Sequence, residues 1–153
     1  MKVRILAIAK KPQNWLAEAE KDFQQRIKNF VELEITLLAS ADENSLAEKA
    51  KQIEAEKILT KIQADDFVIA CDLQGKNLDS EKFSEVLGQA RDDSRKMVFV
   101  IGGSTGLDQK ILKRADLQIS FSQMTFPHEL FRIILLEQIY RACMILSGRK
   151  YHK

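Results

Sequence analysis

The last thirty-odd residues of this chain set three kinds of chemistry side by side. A loop of small, polar and aromatic residues, Phe121-Ser-Gln-Met-Thr-Phe126, leads into Pro127-His128. A nearly all-apolar helical pattern follows to Leu146, and then the tail Ser147-Gly-Arg-Lys-Tyr-His-Lys153. Pro127, with its fixed φ and no N–H, suits the first turn of a helix. Arg141 could stabilise negative charge developing on a substrate, and Tyr151 with His152 could stack on, hydrogen-bond or deprotonate a planar base. Each has a plainer alternative. Arg141 can pair with Glu137 one turn back, Tyr151 and His152 can be a frayed terminus, and His128 can merely cap the helix.

The helix that carries this chemistry raises the question of assembly. From Glu129 to Leu146 the polar residues are Glu129, Arg132, Glu137, Gln138 and Arg141, and they form no continuous solvent stripe. More than one face must be buried, either in a central core position or at the contact of a homodimer. The dimer is favoured, because a terminal helix in a small domain usually keeps one side wet. Arg132, Glu137 and Arg141 would be costly in lipid, so no membrane span is expected.

Short aliphatic runs alternate with helical patterns along the rest of the chain. Val3–Ala9, Leu33–Leu38, Phe67–Asp72, Met97–Ile101 and Leu117–Phe121 read as strands. Trp15, Leu16, Ala19, Phe23, Ile27 and Phe30 follow a helical spacing, and Ser45-Leu-Ala-Glu48 resembles a capping box opening a helix to about Ile62. Ser80 to about Arg91 and Asp108 to about Ala115 supply two more helices. This alternation predicts an α/β fold, a mainly parallel sheet with flanking helices, formed by residues 1–153 as a single domain. Ligands bind beyond the carboxyl ends of such strands. The segments to inspect are therefore Asp72-Leu-Gln-Gly-Lys76, Gly102-Gly-Ser-Thr-Gly106 and Phe121 to His128. Gly102 and Gly103 leave room for positive φ or for close approach of a ligand or another segment. Alone they signify little more than a tight turn, being neither a dinucleotide fingerprint nor a phosphate-binding loop.

Composition excludes other classes. The 24 Lys and Arg residues against 22 Asp and Glu leave a net charge of only +2, which does not by itself mark a nucleic-acid binder. The bias is local: Lys2, Arg4, Lys10 and Lys11 near one end, and Arg141, Arg149, Lys150 and Lys153 near the other, with no acid interspersed. Such bias is usually a solvated surface unless the two ends converge on a cleft. Cys71 and Cys143 lack metal-type spacing and suit free thiols in a reducing cytosol, and His128 and His152 are too isolated for a zinc site. No metal is expected. Ile5-Leu-Ala-Ile-Ala9 is shorter than the apolar core of a signal peptide, so a cytoplasmic location is expected.

Taken in order, Ile101-Gly-Gly-Ser-Thr-Gly-Leu107, Ser120-Phe-Ser-Gln-Met-Thr-Phe-Pro-His-Glu-Leu-Phe-Arg132, Leu136-Glu-Gln-Ile-Tyr-Arg-Ala142 and Tyr151-His152 resemble the RlmH family of ribosomal RNA large-subunit methyltransferases, of the SPOUT class. The likeness spans essentially the whole chain, including Val3-Arg-Ile-Leu-Ala-Ile-Ala9. It implies a C-terminal trefoil knot, a homodimer, and S-adenosylmethionine bound in a bent shape by the knot loops. It also implies methylation at N3 of a pseudouridine in a stem-loop of 23S rRNA on the ribosome. By position, cofactor contacts carry over to Cys71 and Leu73, to Gly102, and to Phe121, Ser122, Gln123, Met124, Thr125 and Phe126. Relatives often have leucine where Cys71 stands, which leaves open whether that contact is made by side chain or backbone. Two other readings remain: a SPOUT enzyme acting on a different RNA nucleoside, and a noncatalytic RNA- or cofactor-binding module.

Overall fold

Five aliphatic runs form five strands, and every pairing between them is parallel. The computed structural model describes residues 1–10, 14–42, 44–149 and 151. In chain order the elements are β1 (Lys2–Ile8), α1 (Asn14–Ile27), β2 (Glu32–Leu38), α2 (Ala47–Leu59), β3 (Phe67–Asn77), α3 (Ser80–Asp92), β4 (Met97–Ile101), α4 (Gln109–Arg114), β5 (Leu117–Ser120) and α5 (His128–Leu146). The sheet order is β2-β1-β4-β3-β5. Because side chains alternate across a strand, each central strand feeds two cores. Val3, Ile5, Ala7, Ile69, Met97 and Phe99 face α1, α3 and α5, where Ile27, Phe83, Leu87, Leu135, Leu136 and Ile139 meet them. Leu6, Ile8, Val68, Ala70, Val98 and Val100 face Ala55 and Ile58 of α2 and Ile111 of α4. Full burial of each such large aliphatic side chain contributes roughly 1.5–3 kcal/mol. All carboxyl ends of the strands lie at one pole, which gathers the connections after β1, β2, β4 and β5.

Two local expectations are corrected. The capping box does not form: α2 begins at Ala47, its N-cap is Leu46, and no side chain caps it. Asp42 has taken that part of the chain first, accepting the Asn44 N–H on its carboxylate at 2.9 Å and the Ser45 N–H on its carbonyl at 2.9 Å. A short Asx turn thus outcompetes the box for Ser45. The second correction concerns residues 72–76, read as a loop after β3. They lie within an extended β3, and the pairing with β5 shifts register there, since both Cys71 and Lys76 stand opposite Ile119.

Gly75 permits that arrangement. A Cβ on Gly75 would sit 2.5 Å from the carbonyl carbon and 2.6 Å from the nitrogen of Ile119. The clash is with backbone, which cannot rotate away. Gly75→Ala should therefore cost stability on the scale of the more damaging single substitutions, about 3 kcal/mol or more, in chemical denaturation. A variant within 0.5 kcal/mol of wild type (~) would show that β5 does not run against this residue.

The C-terminal helix resolves into one buried stripe. Arg132, Leu135, Leu136, Ile139, Ala142 and Cys143 are buried at helical spacing, while Leu130, Ile133, Ile134, Met144 and Ile145 are only partly covered. Leu135 is fully buried in the chain's own core, so a charge placed there probes the fold rather than a subunit contact. The alternative of a core helix accounts for one stripe and leaves a second face incompletely covered, with Leu130, Ile133, Ile134, Met144 and Ile145 flanking the Glu137–Arg141 pair. Arg132 is the largest fully buried side chain, and its Nε donates to Glu20 on α1 at 2.6 Å. The basic N-terminal stretch is not a bare positive surface. Lys2 pairs with Glu32 at 3.0 Å and Glu34 at 3.4 Å, and Arg4 donates to the Lys61 carbonyl at 2.9 Å. Among the described residues, no helix is long and apolar enough to cross a membrane.

Candidate active site

At the pole where the strands end, a cleft of about 500 Å3 opens between the connections after β4 and β5 and the extended β3. Cys71, Leu73, Gly102, Phe121, Met124, Thr125 and Phe126, all singled out from sequence, line it together. Ser122 and Gln123 are not among the lining residues. Ser122 shapes the loop instead: its carbonyl accepts from the Ser120 hydroxyl at 2.9 Å, and its own hydroxyl accepts from the Met124 N–H at 2.9 Å. Gln123 is exposed. Asp72, Ser104 to Gly106 and His128, within the segments marked from sequence but not named there as cofactor contacts, also face the cleft, and so do Leu107 and Phe131, which sequence reasoning did not single out. His128 closes the third of those segments and could equally be a helix cap; the fold places the first turn of α5 at the strand ends, where His128 lines the cleft.

The walls have distinct chemistries. One is aromatic: Phe83 meets Phe121 edge-on with centroids 6.0 Å apart, Phe121 lies 5.2 Å from Phe131, and Phe131 lies 6.4 Å from Phe126. The opposite wall is backbone. Gly103 and Gly106 form an antiparallel bridge, the Gly106 N–H donating to the Gly103 carbonyl at 3.0 Å. A Cβ on Gly102 would fall 2.9 Å from the Gly106 carbonyl carbon, so a side chain there would spread the turn. Gly106 has a different role. It holds φ at +82° with nothing near its missing Cβ, so its role is the left-handed turn. A second cavity of about 620 Å3 lies beyond Phe121, between α3 and α5, with Asp79, Glu81, Ile134 and Gln138 on its walls. It is larger, but the glycine turn and the β5–α5 loop residues beyond Phe121 are absent from its lining.

Cys71 is only partly covered at the cleft wall, and its burial, reinforced by the neighbouring Asp72 carboxylate, raises the thiol above its ordinary range, toward the protonated form. A thiolate there would compete for any alkyl group the site handles. Cys143, also buried, is pushed up to about 11 and lies away from the cleft, near Phe30 and Leu146. Among the described residues, no cluster of His, Cys, Asp and Glu could hold a metal ion.

The tail residues come together at the other end of α5. Arg141 donates through Nε to Glu137 at 3.0 Å, and its guanidinium lies 4.9 Å over the Tyr151 ring. Tyr151 stands edge-on to Tyr140 at 5.0 Å, and Arg149 lies 5.5 Å over Phe30. Tyr151 is therefore docked, not frayed, and the Glu137 pairing of Arg141 is present. His152 lies outside the described residues. Arg141 follows His128 by thirteen residues on one continuous helix, which is about 20 Å of rise. One chain thus carries both groups of predicted site residues but holds them apart.

A family model described as "Predicted SPOUT methyltransferase" matches residues 1–152. The chain is similar to Ribosomal RNA large subunit methyltransferase H of Caldicellulosiruptor bescii, with 39% identity over 153 residues and 99% of each chain covered. It is likewise 42% identical to the proteins of that name from Carboxydothermus hydrogenoformans and from Clostridium botulinum, each over 159 aligned positions and the full length of both chains.

Proposed function

The chain belongs to the SPOUT methyltransferase family, and from that premise we propose that it transfers the methyl group of S-adenosylmethionine to N3 of a pseudouridine in 23S rRNA, in the cytoplasm, as a homodimer. The observation that carries this reading is a cleft of small-molecule size, aromatic on one side and bare glycine backbone on the other, at the carboxyl ends of parallel strands. The trefoil knot implied by the sequence resemblance is part of the proposal. The contact of β5 with the bare Gly75 is the kind of close approach it requires.

The residues present fit the cofactor. The aromatic wall of Phe121, Phe126 and Phe131 suits a purine, and the glycine turn lets backbone approach a ligand without side-chain interference. Cys71, Leu73, Gly102, Met124 and Thr125 complete the enclosure, with Ser122 and Gln123 acting through the loop that presents them. When bound, the cofactor supplies a methyl group already activated by its sulfonium and leaves as the neutral thioether. The chain must supply orientation, worth ~7–11 kcal/mol, and make a weakly acidic imide nitrogen nucleophilic. The N3 proton has to be removed as the N–C bond forms. Arg141 stabilises the anionic charge on the base, and Tyr151 and His152 stack against it and manage the proton.

The ~20 Å of helix between these groups and the cleft supports a homodimer in which the tail of one chain serves the cleft of the other. Leu130, Ile133, Ile134, Met144 and Ile145 supply apolar surface for that contact on either side of the Glu137–Arg141 pair. Incubation of purified protein with S-adenosylmethionine and ribosomes, followed by mass spectrometry of the rRNA, tests the reaction. The expected product is 3-methylpseudouridine. Methylation of another nucleoside would reassign the substrate, and cofactor binding without methylation would leave a binding module.

A further inference from the structure

One buried carboxylate stands directly behind the glycine turn. Glu54, on α2, is 6% exposed, and its Oε1 accepts the Ala41 N–H at 3.1 Å. Its Oε2 is buried and meets no donor among the described residues. This oxygen occupies the space that a side chain on Gly103 would need. An ideal Cβ there would lie 2.8 Å from Oε2 and 3.1 Å from Oε1, with the Ile8 side chain at 3.1 Å. Gly103 lines the cleft, whereas Glu54 does not. The carboxylate therefore touches the cleft's glycine wall from its far side.

A buried carboxylate oxygen without a donor weakens the fold, because the group has lost water and gained nothing in return. Its placement against Gly103 indicates when a donor could arrive. The amide N–H groups flanking the Gly103 Cα, those of Gly103 and Ser104, are the nearest candidates by connectivity, and a small rotation of the glycine peptides would turn one onto Oε2. Glycine at both 102 and 103 makes such a rotation inexpensive.

We propose that Glu54 is a positioning residue for the cleft: its unpaired oxygen is the acceptor onto which the Gly102–Gly106 turn closes when S-adenosylmethionine is bound. This rests on the cofactor reading above and adds a residue that no cleft contact would reveal. Among the described residues that oxygen has no donor, and cofactor binding supplies one. Cofactor affinity and apo stability are thereby set against each other at one side chain.

Glu54→Gln tests this, because the amide oxygen can keep the Ala41 N–H while the amide nitrogen replaces the acceptor facing Gly103. The expected result has two parts. Calorimetric affinity for S-adenosylmethionine falls about tenfold or more, as for loss of a hydrogen bond to a charged group. The melting temperature of the protein without cofactor stays level or rises. A residue with only a structural role would not separate the two readouts in this way. Unchanged affinity in Glu54→Gln, with wild type binding normally, overturns the inference alone. A fall in apo melting temperature that fully accounts for weaker binding also overturns it. Failure of the wild type itself to bind removes the cofactor reading and this inference with it.

Discussion

Replacing Arg141 with alanine should lower methyl transfer by about 10²–10³-fold, the usual scale for losing one preorganised charge-stabilising group. Deleting residues 149–153 should abolish it. S-adenosylmethionine affinity should survive both changes, because the cleft residues sit at the opposite end of α5. The fold should survive too. Arg141 and Glu137 are each more than a fifth exposed, so their ion pair contributes at most about 1 kcal/mol. The Tyr151–Tyr140 contact is worth roughly 0.5–1.5 kcal/mol. Both are small beside a domain's total stability. A loss of activity therefore cannot be charged to unfolding. Near wild-type turnover by the truncated protein would return the tail to the status of a docked end, and would move the search for base-contacting groups to His128, which already faces the cleft.

The largest effect on stability is expected at Glu20. Arg132 is fully buried, donates only through Nε to Glu20, and leaves Nη1 and Nη2 without partners among the described residues. Removing the carboxylate strands a guanidinium in the core between α1 and α5. Glu20→Ala should destabilise by about 3–5 kcal/mol in denaturant titration. The double replacement Glu20→Leu with Arg132→Met should recover most of that loss, since a buried pair gains little over well-packed apolar side chains. If the single variant costs less than 1 kcal/mol (~), the pair is better solvated than its burial implies.

The central strands were legible because both of their faces are buried: a continuous aliphatic run such as Met97–Ile101 has few other uses, and four of the five strands fall within one residue of their sequence-read limits. The third was cut short at Asp72 because residues 72–76 are polar and contain a glycine. Their extension depends on β5, a partner more than forty residues away, and on Gly75 admitting its backbone. Glycine type alone could not show which glycine serves close approach, which a turn, and which faces a carboxylate. Gly75, Gly106 and Gly103 do these three things respectively. The capping box failed for a local reason, since Asp42 captured Ser45 first. Long-range polar pairs were invisible: Glu20 and Arg132 are 112 residues apart, and Glu54 reaches a glycine on another connection. The loop after β5 was marked as a segment, but sequence could not show which of its side chains face inward: Phe121, Met124, Thr125 and Phe126 line the cleft, and Ser122 and Gln123 do not.

The central claim is that the cleft of one chain is served by the tail of another. Co-expression of two differently tagged variants tests it directly: one truncated after Gly148, the other carrying Gly102→Val, which crowds the glycine turn. Each variant alone should be inactive on ribosomes. With random pairing, half of the dimers are mixed and each mixed dimer holds one intact site, so the mixture should recover about a quarter of wild-type methyl transfer. A mixture as inactive as its components, with mixed dimers confirmed by tandem affinity purification, would contradict the account and place cleft and tail chemistry within a single chain.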